Sequence, residues 1–531
     1  MKLSATTAHT ARPTRLLASL ALVLAAHGLP MPAQAATPAS AIAWQEAGVD
    51  ADIERAFAQA RTEKKPVLLY WGAKWCPPCN QLKATLFNRQ DFIEQSRAFV
   101  AVHIDGDAPG AQKLGTRFKV RGYPTLILFS PDASEITRLP GEADAPQVLR
   151  VLQLGLAGGR PIKSVLADAR AGKKLNANEW RLLAFYSWET DEQQLVPQAE
   201  RVTLLAQLAE ASKGVDEETT TRLRLKTLSA ADDGKGIKPD ASLRALVPQV
   251  LSSAATTRVQ ADVLTNGAAD IVKALTPSAG PDRSTLLGQY EAAMKRLEAD
   301  ATLSRADRLS ALNARIALAR LDQPKDEVHP KIANALLDEA REHAGRADRD
   351  ITDGYERQAV IPEVAYTLGQ AGLWKESDAL LKASLAKSHS PYYLMSQLGG
   401  NARKQGRKDE ALRWYEESFN KSEGPATRLQ WGAGYLNALV DLAPQDAARI
   451  EKTAAQLFAE AAQDKGAFYE RSARSLQKVG SKLVGWNASG QHDAALRRLK
   501  AQLDGVCSKL ETADNQRATC EGLLNPSAKK G

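Results

Sequence analysis

Tyr70-Trp71-Gly72-Ala73-Lys74-Trp75-Cys76-Pro77-Pro78-Cys79 is the stretch on which the reading of this chain turns. The run from Pro66 to Trp71 is apolar without interruption and is preceded by Lys64 and Lys65, which predicts a strand buried on both faces. Two consecutive prolines suit the start of a helix, because the N–H groups they lack would have had no intrahelical partner there. Beyond them Leu82, Leu86, Phe87 and Ile93 fall near one face of a helical stretch reaching about Gln95. The two cysteines therefore stand where a buried strand hands over to a helix.

Working outward, Ile53 to Arg61 fits a helix and Phe99 to Ile104 a second buried strand. Ala111 to Phe118 reads as a short helix. Thr125 to Phe129 and Glu135 to Leu139 read as paired strands around Ser130-Pro131-Asp132, and a helix from Ala145 to about Leu154 closes the series. This alternation between Ala41 and about Gly155 is that of an α/β layer structure.

The motif and its surroundings resemble the thioredoxin family: the strand leading into Trp75-Cys76-Pro77-Pro78-Cys79, His103-Ile104-Asp105 at the end of the next strand, and Val120-Arg121-Gly122-Tyr123-Pro124-Thr125, which is similar to the loop carrying the family's cis-proline. The resemblance covers about a fifth of the chain and implies a thiol-disulfide oxidoreductase. A cysteine at a helix N-terminus feels unpaired N–H groups and the positive end of the helix dipole, which favour the thiolate that exchange requires. That assigns Cys76 as nucleophile and Cys79, three residues on, as the resolving thiol. Trp75 would shield the pair, and Lys74 adds a positive charge. A cis Pro124 would bring the backbone of Tyr123 beside the sulfurs, where a substrate strand could pair with it. Trp75, Tyr123 and Pro124 are the expected substrate-binding residues. No cofactor is called for.

Two other readings of the pair stand beside this one. A zinc site wants a second ligand pair, and there is no other CxxC or ligand-spaced His cluster, so no metal is expected. A purely structural disulfide is the remaining alternative. The chain also departs from the family, because thioredoxins carry a buried Asp on the strand before the motif with a Lys partner on the adjacent strand. Tyr70 and Ala101 occupy those places here. Without that acid Cys79 would lose its proton more slowly, which points toward partner-selective exchange rather than fast general reduction.

The tract Ala157-Gly158-Gly159-Arg160-Pro161 reads as a linker, and beyond it strand patterns essentially vanish. The domains expected are a signal peptide over 1–35, a thioredoxin-like domain over 36–156, a linker over 157–161 and an α-helical region over 162–531. Gly372-Leu373-Trp374-Lys375-Glu376 and Gly406-Arg407-Lys408-Asp409-Glu410-Ala411 are similar turn-to-helix passages whose glycines are 34 residues apart. With Leu398, Gly399, Ala411, Tyr415 and Phe419 in place, the second resembles the tetratricopeptide repeat, and Gly490-Gln491-His492-Asp493-Ala494 is a further echo. Stacked repeats of this kind offer concave surfaces that bind other polypeptides.

Met1 to Arg15 is basic and free of acids, Leu16 to Leu29 is mostly apolar, and Ala33-Gln34-Ala35 supplies the small residues of a signal-peptidase site. This predicts export to the periplasm with cleavage after Ala35, and no stable membrane insertion of the rest. Net charge is +8, or +5 without Lys2, Arg12 and Arg15, and no basic block with interleaved aromatics concentrates it, which argues against nucleic-acid binding. In an oxidising compartment Cys507 and Cys520 are expected to form a structural disulfide across the turn Glu511 to Arg517, although exchange with Cys76 and Cys79 is the alternative. The function expected is reduction or exchange of disulfides in partner proteins recruited by the helical repeats, with a separate redox partner for recycling. A chaperone-like adaptor in which the redox domain is secondary is the competing reading.

Overall fold

Strand sequences with apolar residues at every position can only be satisfied by a sheet covered on both sides, and the computed structural model of the protein has that arrangement. It describes residues 41–525 apart from 140, 142, 189, 192, 193, 232 and 233. The expected signal peptide and its cleavage point lie outside the described residues. Five strands, β1 (Gln45–Glu46), β2 (Val67–Gly72), β3 (Val100–Asp105), β4 (Thr125–Phe129) and β5 (Glu135–Leu139), make one sheet of order β1-β3-β2-β4-β5. β3 runs parallel to β1 and β2, while β4 is antiparallel to both β2 and β5. β1 was not anticipated, because two residues are too short to show a period.

Around the sheet lie α1 (Asp50–Glu63), α2 (Pro77–Thr85), α3 (Gln90–Gln95), α4 (Ala111–Phe118) and α5 (Ala145–Leu156). The single helical stretch expected from the cysteines to Gln95 is instead α2 and α3. The N–H groups of Leu86 and Phe87 both reach the carbonyl of Leu82. Phe87 then turns its ring into a cluster with Trp44, Tyr70 and Phe92. Burying that ring redirects the chain.

Period two splits the strands between two cores. Val67, Leu69, Trp71, Val102 and Ile127 face Ile53 and Phe57 of α1 and Leu114 and Phe118 of α4. Leu68, Tyr70, Leu126 and Leu128 face the opposite way, into a core that continues through Val148 and Leu152 of α5 to Val165, Leu183 and Trp188. The segment 157–161 joins α5 to the helix Ile162–Arg170, and this apolar core passes from one side of it to the other. Residues 162–223 thus help roof the sheet.

Among the described residues after 161 every regular element is helical. The helices Gly354–Gln370 and Trp374–Ser384, then Pro391–Lys404 and Lys408–Lys421, form successive hairpins. Gly372 and Gly406 take φ of 78° and 73° at the turns, where side chains are strained. Where the second pair crosses, a Cβ on Gly399 would come within 3.0 Å of the Tyr415 ring. The helical region then closes back on the α/β domain. Gly354–Gln370 packs along α2 and Glu470–Trp486 along α4. Gln81 in α2 donates to Asp307, and Gln147 in α5 donates to the carbonyl of Val259.

Candidate functional site

β2 delivers the chain to Ala73-Lys74-Trp75, and Cys76 caps α2 with extended backbone angles, φ −67° and ψ 116°. Pro77 and Pro78 open the helix as its first two residues. Cys79 follows with its Cα 5.2 Å from that of Cys76, and the two are joined as a disulfide. The N–H of Cys79 donates to Sγ of Cys76 at 3.3 Å, so one of the unpaired donors at the helix start is aimed at the first sulfur. Asn80 fixes the loop beneath, its Nδ2 donating to the carbonyls of Lys74 and Cys76, both at 2.8 Å. The Tyr123–Pro124 peptide is cis.

The helical region covers this face closely. Cys76 is 2% exposed, Cys79 is fully buried and Trp75 is 7% exposed. The Trp75 ring stacks on Tyr393 with centroids 5.8 Å apart and meets Trp431 edge-on at 4.8 Å. Its Nε1–H donates to Oγ1 of Thr427 at 2.9 Å, and its carbonyl accepts from Gln358 at 2.9 Å. The guanidinium of Arg471 lies over both the Trp75 and Tyr123 rings, 4.5 and 4.7 Å from their centroids. Burial pushes the Arg471 pKa down, against the pull of the nearby Tyr123 and Asp107. Trp75 therefore shields the sulfurs as one wall of a box whose other walls come from residues 358–471.

Asp107 ties the same seam from the other side. Its carboxylate accepts from the Thr427 N–H at 2.8 Å and the Thr427 hydroxyl at 2.6 Å, which extends the chain of bonds that starts at Trp75. Burial raises its pKa to about 6 despite those two donors. Gln112 of α4 donates to Tyr123 Oη at 3.2 Å and accepts from the Arg471 N–H at 3.1 Å. The exposed pair Lys74–Glu423, at 3.1 Å, adds little.

Two cavities flank the motif. One, of about 560 Å³, is lined by Trp75, Cys76, Tyr123, Tyr393 and Arg471 among others. The other, of about 320 Å³, lies past Pro77, Pro78 and Pro124 and is lined by Asp307 and Glu363. Burial raises the pKa of both carboxyls. Of the two sulfurs, Cys76 lines the larger cavity. At the place where thioredoxins hold an acid, Tyr70 packs at 4.9 Å on the His103 ring, and its hydroxyl has no hydrogen-bond partner. Burial drives its pKa well above the ordinary tyrosine value.

Cys507 and Cys520, the other expected bridge, are joined with Cα atoms 5.6 Å apart. They lie in a separate apolar core with Leu503, Val506 and Leu523. Sequence reasoning brought Trp75, Cys76, Cys79, Tyr123 and Pro124 together. It missed Asn80, Asp107, Gln358, Tyr393, Thr427, Trp431 and Arg471. The aromatic residues among these carry helical spacing that any buried face would show.

A parallel-then-antiparallel sheet with a CxxC at the first turn of α2 and a cis-proline loop beside it defines a thioredoxin-like domain. Residues 53–155 match the family model described as a thioredoxin-like domain. Over 104 residues the chain is 31% identical to the thiol:disulfide interchange protein DsbD of Pseudomonas fluorescens, which covers 19% of this chain and 18% of the relative. Over 115 residues it is 30% identical to thiol:disulfide interchange protein DsbD 1 of Pseudomonas aeruginosa, covering 21% and 20%. The chain thus spans about a fifth of the length of these curated relatives. The solution structure of a thioredoxin from Thermus thermophilus matches at 25% identity over 22% of this chain and 88% of that one, with a TM-score of 0.20.

Proposed function

We propose that this chain is an exported, periplasmic thiol-disulfide oxidoreductase that reduces or exchanges disulfides of partner proteins through Cys76 and Cys79. The observation that carries the reading is the Cys76–Cys79 bridge at the start of α2, with a backbone N–H on the Cys76 sulfur and a cavity in front of it. In the reducing direction the Cys76 thiolate attacks one sulfur of the partner's disulfide, the other sulfur leaves as a thiolate, and a mixed disulfide remains. The Cys79 thiolate then attacks Cys76 Sγ, which releases the partner's second thiolate and re-forms the bridge. Two electrons pass to the partner, and a separate redox protein returns them. The reverse sequence oxidises a partner dithiol.

Burial of both sulfurs beneath Tyr393 and Trp431 narrows the class of partner. A folded surface cannot reach Cys76 without displacing the helical region, whereas an extended segment that enters the cavity can. The helices then select what reaches the sulfur, in agreement with the absent acid at Tyr70. Insulin reduction by the full chain, with dithiothreitol as terminal reductant, tests the reading. Cys76→Ser is expected to fall to the protein-free rate, and an unchanged rate in that variant would falsify the assignment.

A further inference from the structure

The two cavities beside the motif differ in charge. Arg121, Arg471, Arg474 and Lys478 line the one onto which Cys76 opens, and no carboxylate is among the described residues lining it. Glu470 offsets part of this charge by pairing with Arg474 at 2.7 Å, and Asp107 acts on Arg471 from behind. Arg474 also donates to the carbonyl of Arg121 at 3.0 Å, which joins the two sides of the cavity mouth. An arginine remains charged even when burial lowers its pKa. Among the described residues the balance in front of Cys76 is therefore positive. Across the ridge of Pro77 and Pro78 the smaller cavity holds Asp307 and Glu363, with no Lys or Arg among its described lining residues.

Resting on the exchange reading above, we infer that the substrate sulfur is flanked by carboxylates and is carried on something slender enough for a space of about 560 Å³. The chemistry is that of a small acidic peptide thiol or its disulfide, or of the same group on an acidic extended segment of a protein. A cavity of this size holds a small molecule or a few residues of extended chain. The cations gather the carboxylates and favour approach of an anionic sulfur. With the bridge oxidised, a substrate thiolate attacks Cys76 Sγ, the Cys76–Cys79 bond breaks, and its electron pair leaves on Cys79. A second thiolate attacks the substrate sulfur of the mixed disulfide and Cys76 leaves as the thiolate. Two thiols become one disulfide, and the bridge takes up two electrons.

The test reacts the full chain carrying Cys79→Ser, in which no resolving thiol can expel the adduct from Cys76, with glutathione disulfide, neutral hydroxyethyl disulfide and cationic cystamine. Adducts at Cys76 are read by mass spectrometry, and each rate is normalised to that of the same probe with free dithiothreitol. Glutathione disulfide is expected to react about tenfold faster than the neutral probe, and cystamine slowest, with the gaps closing in high salt. Lys478→Glu and Arg121→Glu, both at exposed positions, should each shrink the anionic preference by about threefold. Lys452→Glu changes net charge equally outside the cavity lining and should leave the preference alone. Cysteine peptides with acidic or neutral flanks separate the sources: preference only among peptides assigns a polypeptide, and preference only among small disulfides assigns a small thiol. Equal normalised rates, or cystamine fastest, overturn the inference and leave exchange standing. If no probe forms an adduct at Cys76, both fall.

Discussion

Cys76 and Cys79 are bridged across a separation of three residues at the start of α2, whereas Cys507 and Cys520, thirteen residues apart, join the helices Asp493–Cys507 and Asn515–Gly522. Both bridges are buried, so exposure does not distinguish them. Position in the helix does. Cys76 caps a helix N-terminus and receives an N–H, an environment that favours a thiolate. Cys507 is the last residue of its helix, where unpaired carbonyls disfavour one, and its neighbours are Leu503, Val506, Leu523 and Leu524. On the function proposed above, the first pair opens and closes while the second stays closed.

Replacing the resolving thiol should break the symmetry between the bridges most sharply. Cys79→Ser is expected to abolish turnover and to trap the partner on Cys76 as a stable mixed disulfide, visible on non-reducing gels. The double variant Cys507→Ser with Cys520→Ser should keep turnover within about threefold of the unaltered chain, by the same insulin assay. A mixed disulfide at Cys507 in the Cys79→Ser chain would collapse the distinction.

Stability should rank the bridges in the opposite order. Closing the longer loop is worth about 3 kcal/mol in chain entropy, so the double serine variant should lose about that much in urea unfolding. The loss has a local route toward the first site. Asp514 accepts from the Tyr469 hydroxyl at 2.6 Å and Gln516 accepts from the Phe468 N–H at 3.4 Å, two and three residues before Arg471. A Cβ on Gly480 would strike the Leu523 carbonyl at 2.1 Å, so the helix that carries Arg471 lies directly on the stapled C-terminal segment. An unchanged unfolding midpoint in the double variant would show that apolar packing alone holds that segment.

The two sites were unequally legible in the sequence. The α/β domain could be read because its apolar runs, prolines and cysteines act locally: β2, α2 and the hairpin of β4 and β5 follow from neighbours in the chain. The bonds that enclose Trp75 do not. Thr427 lies 352 residues from it, and the helical pattern that buries Trp431 and Tyr393 says that they are covered without saying by what. Asn80 was the nearest to a usable signal, a polar residue in the first turn of α2 that proved fully buried. The break between α2 and α3 escaped for a related reason, since Phe87 fits a helical face and yet turns into a ring cluster on the sheet.

The smallest expected effect concerns the polar support that the first bridge has at its interdomain seam. Asp107 holds Thr427, which in turn holds Trp75, and burial raises its pKa from 3.8 to about 6. Thr427 and Arg471 favour the ionised form, while Asp105 opposes it. A carboxyl raised in the folded state binds its proton more tightly there than when unfolded. Its contribution to stability is therefore complete below about pH 3.8 and is lost as pH rises through about 6. Asp107→Asn removes the ionisation and keeps an oxygen to accept the Thr427 N–H. Relative to the unaltered chain, the variant should gain roughly 1 to 3 kcal/mol on going from acid to neutral pH. Urea titrations of both chains on either side of that interval measure the difference. A gap that stays constant with pH would mean that folding leaves the Asp107 pKa unmoved from its ordinary value, and that the seam over Trp75 is held at neutral pH by a carboxylate.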